Sequence, residues 1–79
     1  MNNKTAVEQL ILNLFPSAQI HVDDPLSDDQ HLKVTVIEES FREMSSLQRH
    51  RTVMQALKER LASDLHAIEL KLKPPFKNS

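Results

Sequence analysis

A chain of 79 residues with no glycine has few ways to turn. Average usage near 7% would supply roughly five or six glycines, and glycine is the residue that enters the left-handed backbone region without steric cost. The same absence excludes phosphate-cradling P-loops, G-x-G-x-x-G turns and the nucleophile elbow, all of which need glycine backbones. Cysteine is missing too. That removes disulfides, thiolate nucleophiles, cysteine-type zinc sites and any self-sufficient iron–sulfur centre.

Length sets the ceiling at one domain, with the thin stability margin of a small core. The expected domain is 1–79, with an ordered core over about 5–73 and a tail over 74–79. The composition is that of an ordinary globular chain, 39% hydrophobic and 27% charged, with three Phe as its only aromatic residues. No apolar run approaches 18 residues and no charged-then-apolar leader opens the chain, so neither a membrane span nor a secretory signal is expected. With no disulfides, the cytoplasm is the expected compartment.

A net charge of −1 conceals a division along the chain. From Asp23 to Glu39, six acids (Asp23, Asp24, Asp28, Asp29, Glu38, Glu39) stand against Lys33 alone. From Phe41 to Arg60, five bases (Arg42, Arg49, Arg51, Lys58, Arg60) face Glu43 and Glu59. Lys71, Lys73 and Lys77 follow Glu69. Blocks of opposite sign give a polarised surface suited to orienting a protein partner. A dedicated nucleic-acid binder would be more uniformly basic.

Hydrophobic periodicity divides the chain into five elements. Val7, Leu10, Ile11 and Leu14 recur at helical spacing over Thr5–Phe15, and Pro16 ends the run. Thr5 is the expected cap, with Glu8 completing a capping box. Ala18–Val22 is a short strand with Ile20 and Val22 on one face and His21 on the other. Residues 23–30 (DDPLSDDQ) have turn chemistry and read as a solvated loop. His31–Glu38 alternates Leu32, Val34 and Val36 against Lys33, Thr35 and Ile37, and closes an antiparallel hairpin.

After an irregular stretch over Ser40–Ser46, Leu47–Asp64 is the strongest helix. Leu47, His50, Val53, Met54, Leu57 and Leu61 make an apolar arc centred near His50 and Leu57. Leu65–Leu72 is a last strand with His66, Ile68, Leu70 and Leu72 on one face and Glu69, Lys71 and Lys73 opposite. A hairpin followed by a helical crossover gives an α+β, α-β-β-α-β sandwich: a mixed three-stranded sheet with helices packed on one face.

Four histidines are the main carriers of chemistry. His31 opens the second strand and His66 the third, so the two can converge at one sheet edge. Two neutral imidazoles are half a metal site; zinc or iron would need further ligands. The plainer reading makes each a half-buried histidine satisfied by a backbone hydrogen bond. That reading is strongest for His50, at the centre of the apolar arc, while His21 is exposed by alternation. The acidic loop lacks the spacing and the glycine of an EF-hand. Arg49-His50-Arg51 invites a DNA-binding reading, but consecutive helical residues diverge by about 100°. The two arginines therefore straddle the apolar stripe, stems on its edges and heads in water. Pairing with acids of a partner or with phosphate is their second reading.

Three stretches in order carry a family resemblance. They are His31-Leu-Lys-Val-Thr-Val-Ile-Glu-Glu-Ser-Phe41, Leu47-Gln-Arg49-His50-Arg51-Thr-Val53 with Leu57 and Leu61, and His66-Ala67-Ile68, and the resemblance extends over roughly residues 5–73. The chain resembles the BolA-like family. The resemblance implies a KH-like (type II) topology without the GxxG loop that clamps nucleic acid in KH modules. It also implies a non-enzymatic protein that pairs with a monothiol glutaredoxin and shares a bridging 2Fe-2S cluster, in iron–sulfur trafficking or in iron, redox and stress regulation. The glutaredoxin and its glutathione would supply thiolates. This chain would supply His66 and a second ligand, His31, with His21 as the alternative.

Some members of the family are described as DNA-binding transcriptional regulators. On that reading Arg49, Arg51, Lys71 and Lys73 are the contacts, and the same residues are candidates for docking a partner. Alone, the chain is expected to be a monomer or weak homodimer with no cofactor. A third possibility is an adaptor that uses its polarised surface for another protein. Two departures stand out. Glu43 occupies the family's F-x-G glycine position, and Lys73-Pro74-Pro75-Phe76 replaces a T-P-x-E-W ending.

Overall fold

The structure is a computed structural model that describes residues 3–61 and 67–76. Its elements are α1 (Asn3–Leu14), β1 (Gln19–Asp23), β2 (His31–Ile37), a 3-10 helix (Glu39–Glu43), α2 (Ser46–Leu61) and β3 (Ala67–Lys73). The sheet runs in the order β1-β2-β3, with β1 antiparallel to β2 and β3 parallel to it. The expected α-β-β-α-β order and mixed sheet are therefore present. No helix among the described residues is long and apolar enough to cross a membrane.

Strand alternation reads directly onto the sheet. Leu32, Val34 and Val36 are buried, and so is Val22 opposite Val34. They join Val7 and Ile11 of α1 and Val53, Leu57 and Leu61 of α2 in one core, with Ile68, Leu70 and Leu72 of β3 packed against it. The other sheet face carries His21, Asp23, Lys33, Thr35, Glu69 and Lys71 in a shallow groove. One face is thus covered by both helices and the other is polar and uncovered.

The ends of the helices are set by contacts of two kinds. At α2, the Ser45 hydroxyl accepts from the Gln48 N–H at 3.1 Å and the Gln48 side-chain oxygen Oε1 accepts from the Ser45 N–H at 2.9 Å, a reciprocal capping box. At α1 the cap comes from far along the chain. Helix α1 begins at Asn3, so Thr5 lies inside its first turn and is not the cap. Asp29 accepts from the N–H groups of Asn3 at 2.6 Å and Lys4 at 3.0 Å, while Asn3 Nδ2 donates to the Asp29 carbonyl at 2.8 Å. A carboxylate there satisfies orphan donors and complements the positive end of the helix.

The apolar arc of α2 is not centred where periodicity puts it. His50 is exposed, and Leu47 is 57% exposed. The buried row is Val53, Leu57 and Leu61, spaced by four. Such a row drifts by about 40° per step and lies oblique to the helix axis. Averaged over the whole helix the apolar centre falls near His50. At the N-terminal end, however, the oblique row arrives at Arg49, and His50 is turned away from the core.

The segment after β2 is not irregular but a 3-10 helix, capped by Glu38, whose side chain accepts from the Ser40 N–H at 2.9 Å. It delivers Phe41, fully buried and edge-on to Phe15 with ring centres 5.1 Å apart. Glu43 closes this helix, and Met44 continues extended at φ −105°. The turn at the family's glycine position therefore uses no left-handed residue. Among the described residues, positive φ occurs at Ser27 (53°) and Asp29 (57°), both in the acidic loop.

Candidate functional site

The register brings the starts of β2 and β3 together, since His31 pairs with Ala67. The 24–30 loop enters at the same end, because Asp23 at the end of β1 pairs with Lys33. His66 immediately precedes Ala67 in sequence but lies outside the described residues, as do the expected helical residues 62–64 and Lys77. His21 is displaced from this end. It pairs with Thr35, four residues along β2 from His31 and so about 13 Å away at strand rise. Its ring is 3.7 Å from Asp23 Oδ1 and three-quarters exposed.

The loop that leads into His31 is a hydrogen-bonded scaffold, not simply a solvated turn. Asp24 accepts from the N–H groups of Asp28 at 3.2 Å and Asp29 at 2.9 Å. Oδ1 of Asp28 accepts from the N–H groups of Gln30 and His31, both at 3.0 Å. Its other oxygen, Oδ2, lies 2.6 Å from His31 Nδ1. The His31 N–H, then the Gln30 N–H, then the His31 ring hold the Asp28 carboxyl well below the usual carboxylate range. The aspartate at i−3 to a strand-opening histidine is a signal present in the sequence that periodicity passes over.

Such an arrangement suits a metal-facing imidazole. A carboxylate on Nδ1 fixes ring orientation and the placement of the ring hydrogen, the usual environment of a ligating histidine. Among the described residues no three of His, Asp and Glu converge to hold a metal ion. His31 fits the role of one nitrogen ligand.

The basic block resolves into two kinds of residue. Arg49 is half-buried: its Nε donates to the Phe41 carbonyl at 2.8 Å and its Nη1 to the Leu72 carbonyl at 3.2 Å. Its guanidinium carbon lies 6.0 Å from the centre of the Phe41 ring. The expectation of a head group in water fails for Arg49, because the oblique row points it at a carbonyl of the 3-10 helix and one of β3. Arg42 likewise grips Glu39 through two hydrogen bonds, at 2.8 and 3.0 Å, and the Pro75 carbonyl at 2.8 Å. Its bond to Glu39 raises the guanidinium pKa further.

Arg51 and Lys58 remain exposed and line a groove on α2 with His50, Met54, Gln55 and Glu59. Lys71 and Lys73 are exposed on β3, where they alternate with the half-buried Leu70 and Leu72. Arg51 thus stands on the helical layer and the two lysines on the strand layer, with Arg49 withdrawn between them.

Two helices over one face of a mixed sheet, with a carboxylate-held histidine at the head of the central strand, define a small α+β domain of one recognisable kind. Residues 5–77 match the family model described as BolA-like protein, and the chain belongs to that family. It is 43% identical over 51 residues to BolA-like protein 1 of Mus musculus, a match that covers 65% of this chain and 37% of the mouse protein. The match therefore spans well under half the length of that relative. It is 39% identical over 46 residues to the DNA-binding transcriptional regulator BolA of Vibrio cholerae, covering 58% of this chain and 43% of the regulator. In three dimensions it resembles BolA1 from Arabidopsis thaliana with a TM-score of 0.85 at 23% identity, covering 100% of this chain and 99% of the other.

Proposed function

We propose that this chain is a non-enzymatic partner of a monothiol glutaredoxin and contributes histidine nitrogen to a bridging 2Fe-2S cluster, its cargo in iron–sulfur trafficking or iron and stress regulation. The observation that supports it best is the pairing of His31, held by Asp28, with Ala67, the residue after His66. With no cysteine in the chain, every protein thiolate would come from the glutaredoxin, and glutathione would complete the set. His66 and His31 are the proposed ligands, and the distance of His21 from the strand starts disfavours it. Nitrogen ligation would move the cluster potential upward, as it does in Rieske centres.

The test is reconstitution of the chain with a monothiol glutaredoxin, glutathione, iron and sulfide. His66→Ala and His31→Ala should each alter the visible absorption and circular dichroism of the heterodimer. Spectra unchanged in both variants would end the reading.

A second reading, regulation through DNA, draws on the name of the Vibrio cholerae relative and on the exposure of Arg51, Lys71 and Lys73. Arg49 does not belong to that contact set, since its guanidinium is bonded to carbonyls. Duplex binding should weaken with salt by about one log-slope unit per phosphate contact. Failure to shift duplex DNA at low salt would remove this reading.

A further inference from the structure

We propose that Asp28 is a positioning residue for His31, whose carboxylate decides which ring nitrogen of that histidine is offered to a metal. The proposal rests on the reading of His31 as a cluster ligand.

The two oxygens of Asp28 do different work. Oδ1 accepts from the backbone N–H groups of Gln30 and His31, which fixes the carboxylate relative to the first residue of β2. Oδ2 then stands 2.6 Å from His31 Nδ1. An ionised carboxylate can only accept, so Nδ1 carries the hydrogen, and a neutral imidazole in this state has its lone pair on Nε2. The carboxylate is itself anchored. Asp24 accepts from the Asp28 and Asp29 N–H groups, and Asp29 caps α1 through Asn3 and Lys4. The ring is therefore oriented by a chain of bonds that ends at the N-terminus of a helix packed on the core.

Asp28→Asn tests this. The amide keeps a carbonyl oxygen for the two backbone N–H groups, so the loop is retained. It places an NH2, which can only donate, where Oδ2 was. Nδ1 must then accept, and the hydrogen moves to Nε2.

The first readout needs no cluster: nitrogen NMR of the His31 ring in the isolated chain at mildly alkaline pH. The parent chain should show the Nδ1–H tautomer and Asp28→Asn the Nε2–H tautomer, with the amide spectrum elsewhere unchanged. The second readout is the glutaredoxin complex with 2Fe-2S and glutathione. Asp28→Asn should weaken cluster retention by about 10- to 100-fold, the usual range for a lost carboxylate partner of a ligating histidine, and shift the visible circular dichroism in the direction of His31→Ala. Asp28→Glu should restore part of both.

An unchanged tautomer in Asp28→Asn overturns the proposal. So does a switched tautomer with cluster retention like the parent's while His31→Ala lowers it. A complex indifferent to His31→Ala overturns the ligand reading instead, and the tautomer result then stands by itself.

Discussion

The 24–30 loop and the 39–45 segment both reverse the chain without glycine, and they do so by opposite means. The loop enters the left-handed region twice, at Ser27 and Asp29. It is held there by the carboxylates of Asp24, Asp28 and Asp29, which turn inward onto backbone N–H groups. The 39–45 segment winds into a 3-10 helix ending at Glu43 and is held by a buried ring, Phe41, with Arg49 and Arg42 turned onto carbonyls. Acids collect donors in the first region and bases collect acceptors in the second. The charge division in the sequence is therefore in good part a division between two ways of satisfying backbone, and only the remainder is surface for a partner.

The comparison breaks most visibly at Phe41. Phe41→Ala removes a fully buried side chain that packs on Phe15 and should cost about 3–5 kcal/mol. Chemical denaturation measures it, and a loss below that of a surface substitution would refute the role given to the 3-10 helix. Arg49→Ala takes the guanidinium donors from the Leu72 carbonyl and from the Phe41 carbonyl, which keeps only the Met44 N–H, and should cost about 1–3 kcal/mol. It should leave the salt slope of any DNA binding unchanged, a result opposite to that of a phosphate contact.

In the acidic loop the effects are smaller. Asp29→Ala removes the α1 cap and should cost about 1 kcal/mol, with faster hydrogen exchange in the first turn of α1. Ser27→Gly relieves a left-handed serine; the gain of about 1 kcal/mol or less is offset in part by the added freedom of the unfolded chain. The smallest effect is in the pH profile. The Asp28 pKa is depressed in the folded chain, so its contribution is complete above the ordinary carboxylate pKa of about 3.9. It fades as pH falls through the lower folded value. A thermal melt series in acid should show this slope in the parent chain and not in Asp28→Asn.

Much of this was legible residue by residue. Period-two alternation located Leu32, Val34 and Val36 in the core and His21 and Lys33 outside it, because a strand sends successive side chains to opposite faces regardless of what covers them. His31 was legible as the first residue of β2, and its convergence with the start of β3 followed from the crossover. The capping box Ser45–Gln48 was equally legible as S-x-x-Q, although periodicity alone starts the helix at Leu47. The placement of His50 in the core was wrong, and the same error hid Arg49. An apolar average along a helix assumes a stripe parallel to the axis, whereas the buried row of α2, spaced by four, runs oblique to it.

The order of elements, the inward face of each strand, the division of charge and a limit on chemistry are all present in one dimension: a chain without cysteine can offer a metal no thiolate. Those properties depend on local spacing or on which atoms are present. Packing in three dimensions sets the rest: Asp29 caps a helix more than twenty residues upstream, Arg49 serves the core and not the surface, and Asp28 turns one oxygen to the His31 ring. Each of those depends on where a polar group finds its hydrogen-bond partner once elements pack, and no periodicity in one dimension carries that information.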